Sequence, residues 1–211
     1  MRPRTRSEEK RQAVTDAARK VFGRDGFART SIDAIASEAG VSTRTIYNHF
    51  EGKDQLFAFV IEESAGQVAN SQEEMITRYL IDVSDVATSL IDLGCAWVSP
   101  PSSSEFSDHF AMVRQIDAEA AHVPRAALDA WQEAGPRRAH RALAEAFERL
   151  ARDGQLRTGD GRRAARHFIQ LVGSEVEDRS EFGAVPLGDQ EVRAAVTAGV
   201  EVFLYGYSPR E

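Results

Sequence analysis

Between residues 30 and 53, apolar side chains recur at intervals of three and four positions, the spacing of an amphipathic helix. Four of them would share one buried helical face: Ile32, Ile35, Ala36 and Ala39. A turn glycine follows, and the hydroxyl of Ser42 can accept a backbone N–H at the start of a second helix. Ile46 and Phe50 lie four positions apart and would face the same core. The pattern predicts two helices joined by a tight turn, the second over residues 43–50.

A third helix is predicted just before this pair. Ser7 can cap it, two glutamates follow in its first turn, and Gly26 is placed to end it with a left-handed backbone. Its apolar stripe is Val14, Ala17, Ala18, Val21 and Phe22. Three short helices around one small core predict a helix-turn-helix domain over residues 1–52. Such a domain inserts its second motif helix into the DNA major groove, which favours sequence-specific binding of double-stranded DNA.

The polar face of that recognition helix supplies the candidate DNA contacts. At about 100° per residue, Arg44 and Asn48 lie opposite the core-facing side chains. Arg44 could bond guanine and Asn48 adenine, with a phosphate contact as the alternative for Asn48. Ordinary solvent exposure is the alternative for Arg44, and a structural role is the alternative for His49. Lys53 would add charge at the next helix, and Thr30 would cap the first motif helix. The candidate set is Thr30, Ser42, Thr43, Arg44, Thr45, Tyr47, Asn48, His49 and Lys53.

Helical periodicity continues through residues 53–211, so the whole chain is predicted to be all-α. The predicted helices cover residues 53–79, 83–98, 104–121, 125–134, 136–152, 160–176 and 189–205. Aromatic residues of this larger part could line a ligand cavity, and its last two helices could form a dimer interface. The candidate pocket residues, each alternatively plain core, are Trp97, Phe110, Val113, Arg114, Asp117 and Trp131. The last two helices could instead close the core of one chain, but as a dimer interface they would use Phe168, Leu171, Val172, Val192, Val196, Val200 and Phe203.

Charge is distributed unevenly along the 211 residues, whose formal net charge is −7. Residues 1–53 hold 11 Lys and Arg against 7 Asp and Glu, whereas residues 54–211 hold 15 against 26. Positive charge therefore concentrates where DNA would bind.

A single cysteine, Cys95, allows no disulfide within the chain and fits a reducing cytoplasm. No signal peptide or membrane-spanning run is apparent. No metal site, cofactor motif or catalytic motif is found, so an enzyme is not expected.

The run TSIDAIASEAGVSTRTIYNHFEGKDQLF, preceded by VFGRDGFA, resembles the DNA-binding domain of TetR-family transcriptional regulators. The segment from Phe110 to Val176 is similar to the AefR-like class of C-terminal domains. This resemblance implies a homodimeric, all-α repressor whose C-terminal domain binds a small molecule. It also implies that the ligand releases the operator by moving the helix over residues 53–79. The alternative is a DNA-binding regulator without a small-molecule effector.

Overall fold

The computed structural model describes residues 6–99, 104–181 and 185–209. These residues form α-helices and connections, and no strand occurs among them. The all-α prediction is therefore confirmed. In chain order the helices are α1 Arg6–Arg29, α2 Ile32–Ala39, α3 Thr43–Tyr47, α4 Lys53–Leu80, α5 Val86–Val98, α6 Ser104–Glu119, α7 Arg125–Ala134, α8 Pro136–Arg152, α9 Gly161–Arg179 and α10 Asp189–Tyr207.

The described residues fall into two compact units. The first contains residues 6–68 and 104–136, so α1 to α3 pack together with the first part of α4, with α6 and with α7. The second contains residues 69–99 and 137–209. This division reflects packing within the chain. The functional boundary between residues 52 and 53 stays a prediction.

The core of the first unit is built on aromatic side chains from α1 and α4. The Phe22 and Phe57 rings meet edge to face with centroids 4.9 Å apart, and the Phe27 ring lies 5.0 Å from that of Phe57. Helix α6 packs closely on α1 at Gly23, where a Cβ would lie 3.1 Å from the Cβ of Ala111. The three-helix module therefore shares one core with α6 and α7.

Gly26 interrupts α1 with φ of 79° and ψ of 169°. The positive φ agrees with the prediction, because a residue with a Cβ rarely adopts it. The ψ angle is extended rather than helical, so the last residues of α1 form a separate turn. This turn leads into the helix-turn-helix motif.

The core of the second unit contains three phenylalanines, Phe147, Phe168 and Phe203, whose ring centroids are 5.4 to 5.5 Å apart. Helices α9 and α10 meet at Gly199, where a Cβ would overlap the carbonyl of Leu171. The last two helices therefore belong to the core of their own chain.

This packing corrects the predicted dimer contacts. Five of the seven residues are at most 1% exposed in the single chain: Phe168, Val172, Val196, Val200 and Phe203. Leu171 and Val192 are partly buried against the same core. Side chains already enclosed by their own chain have no surface left for a partner. These five residues instead fit the alternative interpretation, in which both helices close the core of one chain.

In the described part of the chain, no helix is both long enough and apolar enough to cross a membrane.

Candidate DNA-binding site

Side-chain and backbone caps fix the turn between α2 and α3. Gly40 has φ of 63° and ψ of 32°, and its N–H donates to carbonyls at the end of α2. Val41 N–H donates to the Ala36 carbonyl over 3.0 Å, which completes a glycine-type helix end. Ser42 then caps α3, since its hydroxyl accepts the Thr45 N–H at 3.3 Å. The predicted turn and the predicted Ser42 cap are both confirmed.

Helix α3 presents two distinct faces. Ile46 is fully buried and Phe50 is 4% exposed, as the spacing predicted. Arg44, Tyr47 and Asn48 are exposed. The helix ends at Tyr47, earlier than predicted, because Asn48 is its C-cap and donates its N–H to the Arg44 carbonyl. The exposed face therefore spans one helical turn and the residue that ends it.

The remaining candidates on this segment differ in exposure. Ser42 is exposed, whereas Thr43, Thr45 and His49 are half-buried. The Thr45 hydroxyl shares a hydrogen bond of 3.0 Å with that of Ser42. Their DNA contacts stay predictions, as do those of the exposed face.

Thr30 does not have the predicted role of N-cap. Ser31 caps α2 instead, and its hydroxyl accepts the Ala34 N–H at 3.1 Å. Thr30 is only 4% exposed, and its hydroxyl donates to the Gly26 carbonyl over 2.6 Å. The Thr30 side chain therefore stabilises the end of α1, and its hydroxyl is occupied rather than turned toward a phosphate.

Lys53 is also engaged inside the protein. It begins α4, as predicted, but its ammonium lies 2.9 Å from the Phe27 carbonyl and 3.1 Å from the Thr30 carbonyl. A longer contact of 3.4 Å reaches the Ala28 carbonyl, and the ammonium lies 4.5 Å from the Phe27 ring centroid. An ammonium has three N–H donors, and here each has a carbonyl acceptor. The Lys53 ammonium is therefore bound to the turn before α2, and its contact with phosphate stays a prediction.

Buried polar groups occupy the first unit behind this surface. Arg19 is 3% exposed and its guanidinium lies 3.5 Å from Glu63 on α4. The Ser64 hydroxyl lies 2.9 Å from Nδ1 of His109 on α6. Burial, and secondarily the positive charge of Arg19, lowers the pKa of His109 to about 4. His109 is therefore neutral at pH 7. Neither Arg19 nor Ser64 could be singled out from the sequence, because both lie within ordinary helical patterns.

Trp131 on α7 is the other unusual buried group. The residue is 9% exposed, and its indole N–H makes no hydrogen bond with any described residue. A buried donor left in this state costs about 1–3 kcal/mol. An acceptor supplied by a bound molecule would recover that cost.

The other predicted pocket residues are not all brought together. Trp97 belongs to the second unit, whereas Phe110, Val113, Arg114 and Asp117 belong to the first. Phe110 and Val113 are half-buried, and Phe110 packs edge to face on the His109 ring. Arg114 and Asp117 are exposed, although partial burial still raises the pKa of Asp117. Arg114 and Asp117 therefore fit an enclosed pocket poorly.

Among the described residues, no group of three or more His, Cys, Asp or Glu side chains is placed to hold a metal ion.

Two family models match the chain. Residues 14–60 match the model described as bacterial regulatory proteins of the tetR family. Residues 103–209 match the C-terminal domain of AefR-like transcriptional repressors. The second match covers half of the chain, and it includes α6 and α7 as well as α8 to α10.

Individual proteins are similar over different lengths. The fatty acid metabolism regulator protein of Bacillus subtilis is 30% identical over 105 residues, 49% of this chain and 50% of that protein. The chain spans half or less of the curated relatives it matches. A crystal structure of a TetR-family transcriptional regulator from Mesorhizobium loti is 28% identical, covers 97% of this chain and 100% of that one, and gives a TM-score of 0.82. The structure of the flavonoid-responsive regulator FrrA is 29% identical in sequence and gives a TM-score of 0.67. The match covers 96% of this chain and 99% of that one.

Proposed function

Because the chain belongs to the TetR family of bacterial transcriptional regulators, we propose that it is a homodimeric repressor that a small molecule releases from its operator. Regulators of this family bind DNA and are not enzymes. A protein that acts on bacterial chromosomal DNA is expected in the cytoplasm. The proposal adds to the family assignment a two-fold operator, a dimer surface and an effector.

The exposed face of α3 carries the proposal. Arg44 is near the start of the helix, where recognition helices reach base edges, and its guanidinium fits the O6 and N7 atoms of guanine. Tyr47, 56% exposed, and Asn48 flank it. The caps at both ends of the turn hold this face in place before DNA binds. We therefore expect Arg44 to read a base and its neighbours to contact phosphates.

A second copy of the chain is needed to read a two-fold operator. Helix α10 offers a surface for it, a stripe of exposed residues at helical spacing: Ala194, Ala198, Val202 and Tyr205. Val202 is 59% exposed and Tyr205 is 96% exposed. The alanines would allow two helices to approach closely, and the larger residues would supply buried apolar area. We propose this α10 stripe as the dimer surface in place of the residues predicted from sequence.

The effector site is proposed around Trp131. Its unpartnered indole N–H calls for an acceptor oxygen, and the neighbouring residues of its core are apolar. A mostly apolar molecule with a carbonyl or hydroxyl oxygen meets both demands. Flavonoids have this chemistry, and they are the effector class named for FrrA. A flavonoid panel is therefore a reasonable first screen against the protein–operator complex.

Selection of bound sequences from random duplex DNA, at one fixed salt concentration, tests the proposal. We expect a palindromic motif whose half-sites are about one helical turn apart or a multiple of it. Arg44→Ala should lose preference at one position of each half-site. Arg125→Ala, which removes an exposed arginine on α7, is the matched control. The absence of any enriched motif would contradict the proposed function.

A further inference from the structure

The turn that joins α1 to α2 is held by a side chain from the far end of α6. Residues 26–30 form this α1–α2 turn. Glu119, the last residue of α6, accepts the Ala28 N–H at 3.2 Å with one carboxylate oxygen. Its other oxygen lies 3.3 Å from the Arg29 guanidinium. The Glu119 side chain is only 13% exposed, so solvent weakens its bond to the Ala28 N–H little.

Gly26 makes room for this carboxylate. A Cβ at Gly26 would lie 2.8 Å from both Glu119 oxygens and 3.0 Å from the Gln115 side-chain oxygen. The positive φ of Gly26 also places the following backbone where its N–H can reach α6. A larger residue would have to displace the carboxylate. Glu119, the acceptor, lies 91 positions after the Ala28 N–H that it binds. It lies 93 positions after Gly26, which leaves space for its carboxylate.

The opposite edge of the same turn is bound by Lys53. Its ammonium donates to the Phe27 and Thr30 carbonyls, whereas the Glu119 carboxylate accepts the Ala28 N–H. The carbonyls of the turn therefore bind α4, and one of its N–H groups binds α6. Bonds to charged groups are about twice as strong as bonds between neutral groups. A displacement of α6 relative to α1 must either break the Glu119 bonds or carry the turn with it.

The Glu119 contact joins segments that match two different family models. The α1–α2 turn lies inside the match to the DNA-binding family model, residues 14–60, and Ser31 at its end caps α2. Glu119 lies inside the match to the C-terminal family model, residues 103–209. The carboxylate thus joins the effector-domain sequence to the backbone just ahead of the DNA-reading helices.

We propose that Glu119 is a positioning residue that fixes the α1–α2 turn and thereby restricts the half-site spacing the dimer accepts. The backbone bond to Ala28 performs this role. The ion pair with Arg29 contributes little, because the Arg29 side chain is 65% exposed. The inference rests on the proposed two-fold operator, and it adds a residue that touches neither DNA nor effector.

Four variants separate these contributions. Glu119→Ala removes both contacts, whereas Glu119→Gln keeps an oxygen that can accept the Ala28 N–H. Arg29→Ala removes only the ion pair. Glu62→Ala removes an exposed carboxylate on α4 and is the matched control. Each full-length variant is tested by hydrogen exchange of the Ala28 amide and by binding to the selected operator. Binding is repeated on operators with one base pair inserted or deleted between the half-sites.

The wild-type protein should bind the altered spacings more weakly than the selected one. Glu119→Ala should make the Ala28 amide exchange faster and reduce the spacing penalty by about tenfold or more, the effect expected for the loss of one hydrogen bond to a charged group. Arg29→Ala and Glu62→Ala should behave as wild type in both measurements. Glu119→Gln should lie between wild type and Glu119→Ala, because its neutral oxygen still accepts the Ala28 N–H but more weakly.

Two results would overturn the inference while leaving the proposed function intact. One is an unchanged Ala28 exchange rate in Glu119→Ala, and the other is faster exchange with an unchanged spacing penalty. A wild-type protein indifferent to spacing would instead refute the two-fold operator, and the inference would fail with it.

Discussion

Replacing Lys53 with methionine separates a structural role for this residue from a DNA contact. Methionine keeps an unbranched apolar side chain and removes the ammonium. In the structure that ammonium donates to the Phe27 carbonyl at 2.9 Å and to the Thr30 carbonyl at 3.1 Å. Hydrogen bonds to charged groups contribute about 1.5–3 kcal/mol each. Because this site is only half-buried, the lower figure applies, and the two bonds together should contribute about 3 kcal/mol to folding.

Two measurements on Lys53→Met test this assignment. Denaturant unfolding should show a lower midpoint with an unchanged slope, corresponding to the loss of about 3 kcal/mol. The salt dependence of operator affinity should keep its wild-type slope, even though affinity at any one salt concentration falls. A residue that neutralises a phosphate would instead reduce that slope by about one unit when it is removed.

Lys20→Met is the control, because Lys20 is exposed on α1 and its loss should leave the unfolding midpoint unchanged. An unfolding midpoint equal to wild type for Lys53→Met, together with a slope reduced by about one unit, would refute the reasoning from the structure. It would restore the phosphate contact predicted from the sequence.

Three further predictions follow from other parts of the molecule. Arg44→Ala should weaken operator binding by about 1–3 kcal/mol and relax specificity at one base, measured by titrating single-base operator variants. The unfolded chain protonates His109 near pH 6.5, whereas the folded chain does so only near pH 4. Stability should therefore fall by up to about 3 kcal/mol as pH drops through that window, and His109→Gln should flatten this part of the pH–stability curve. If the α10 stripe forms the proposed dimer, Tyr205→Glu should sediment as a monomer, while Val185→Glu, at an exposed position before α10, should sediment as wild type.

The features of the DNA-binding motif that were predicted correctly are those set by neighbouring residues. The spacing of Ile46 and Phe50 determines which face of α3 is buried, and a serine directly before the helix supplies the cap. Neighbouring residues alone do not determine whether Thr30 or Ser31 caps α2. Both are hydroxyl residues suited to cap α2, and the choice depends on the Gly26 carbonyl, which accepts the Thr30 hydroxyl. Periodicity does not carry that information.

Contacts between distant positions could not be predicted from the pattern at all. Lys53 reaches carbonyls 23 and 26 positions earlier, and Glu119 binds an amide 91 positions earlier. From the pattern, Lys53 is predicted to contact DNA, and Glu119 has no predicted role. The packing of α4 and α6 against α1 brings both side chains to the same turn, where they bind its backbone groups.

Helix α10 shows why the interface prediction selected the wrong residues while naming a helix that can still form the dimer. A rule based on hydrophobic periodicity finds the stripe with the largest apolar side chains, here centred on Val196, Val200 and Phe203. Those residues are buried in the core of their own chain, where α9 packs against α10. The opposite face is exposed, and there the α10 stripe begins with two alanines that contribute little to a hydrophobic pattern. The weaker stripe therefore marks the surface available to a second copy, since it remains exposed after the chain has folded.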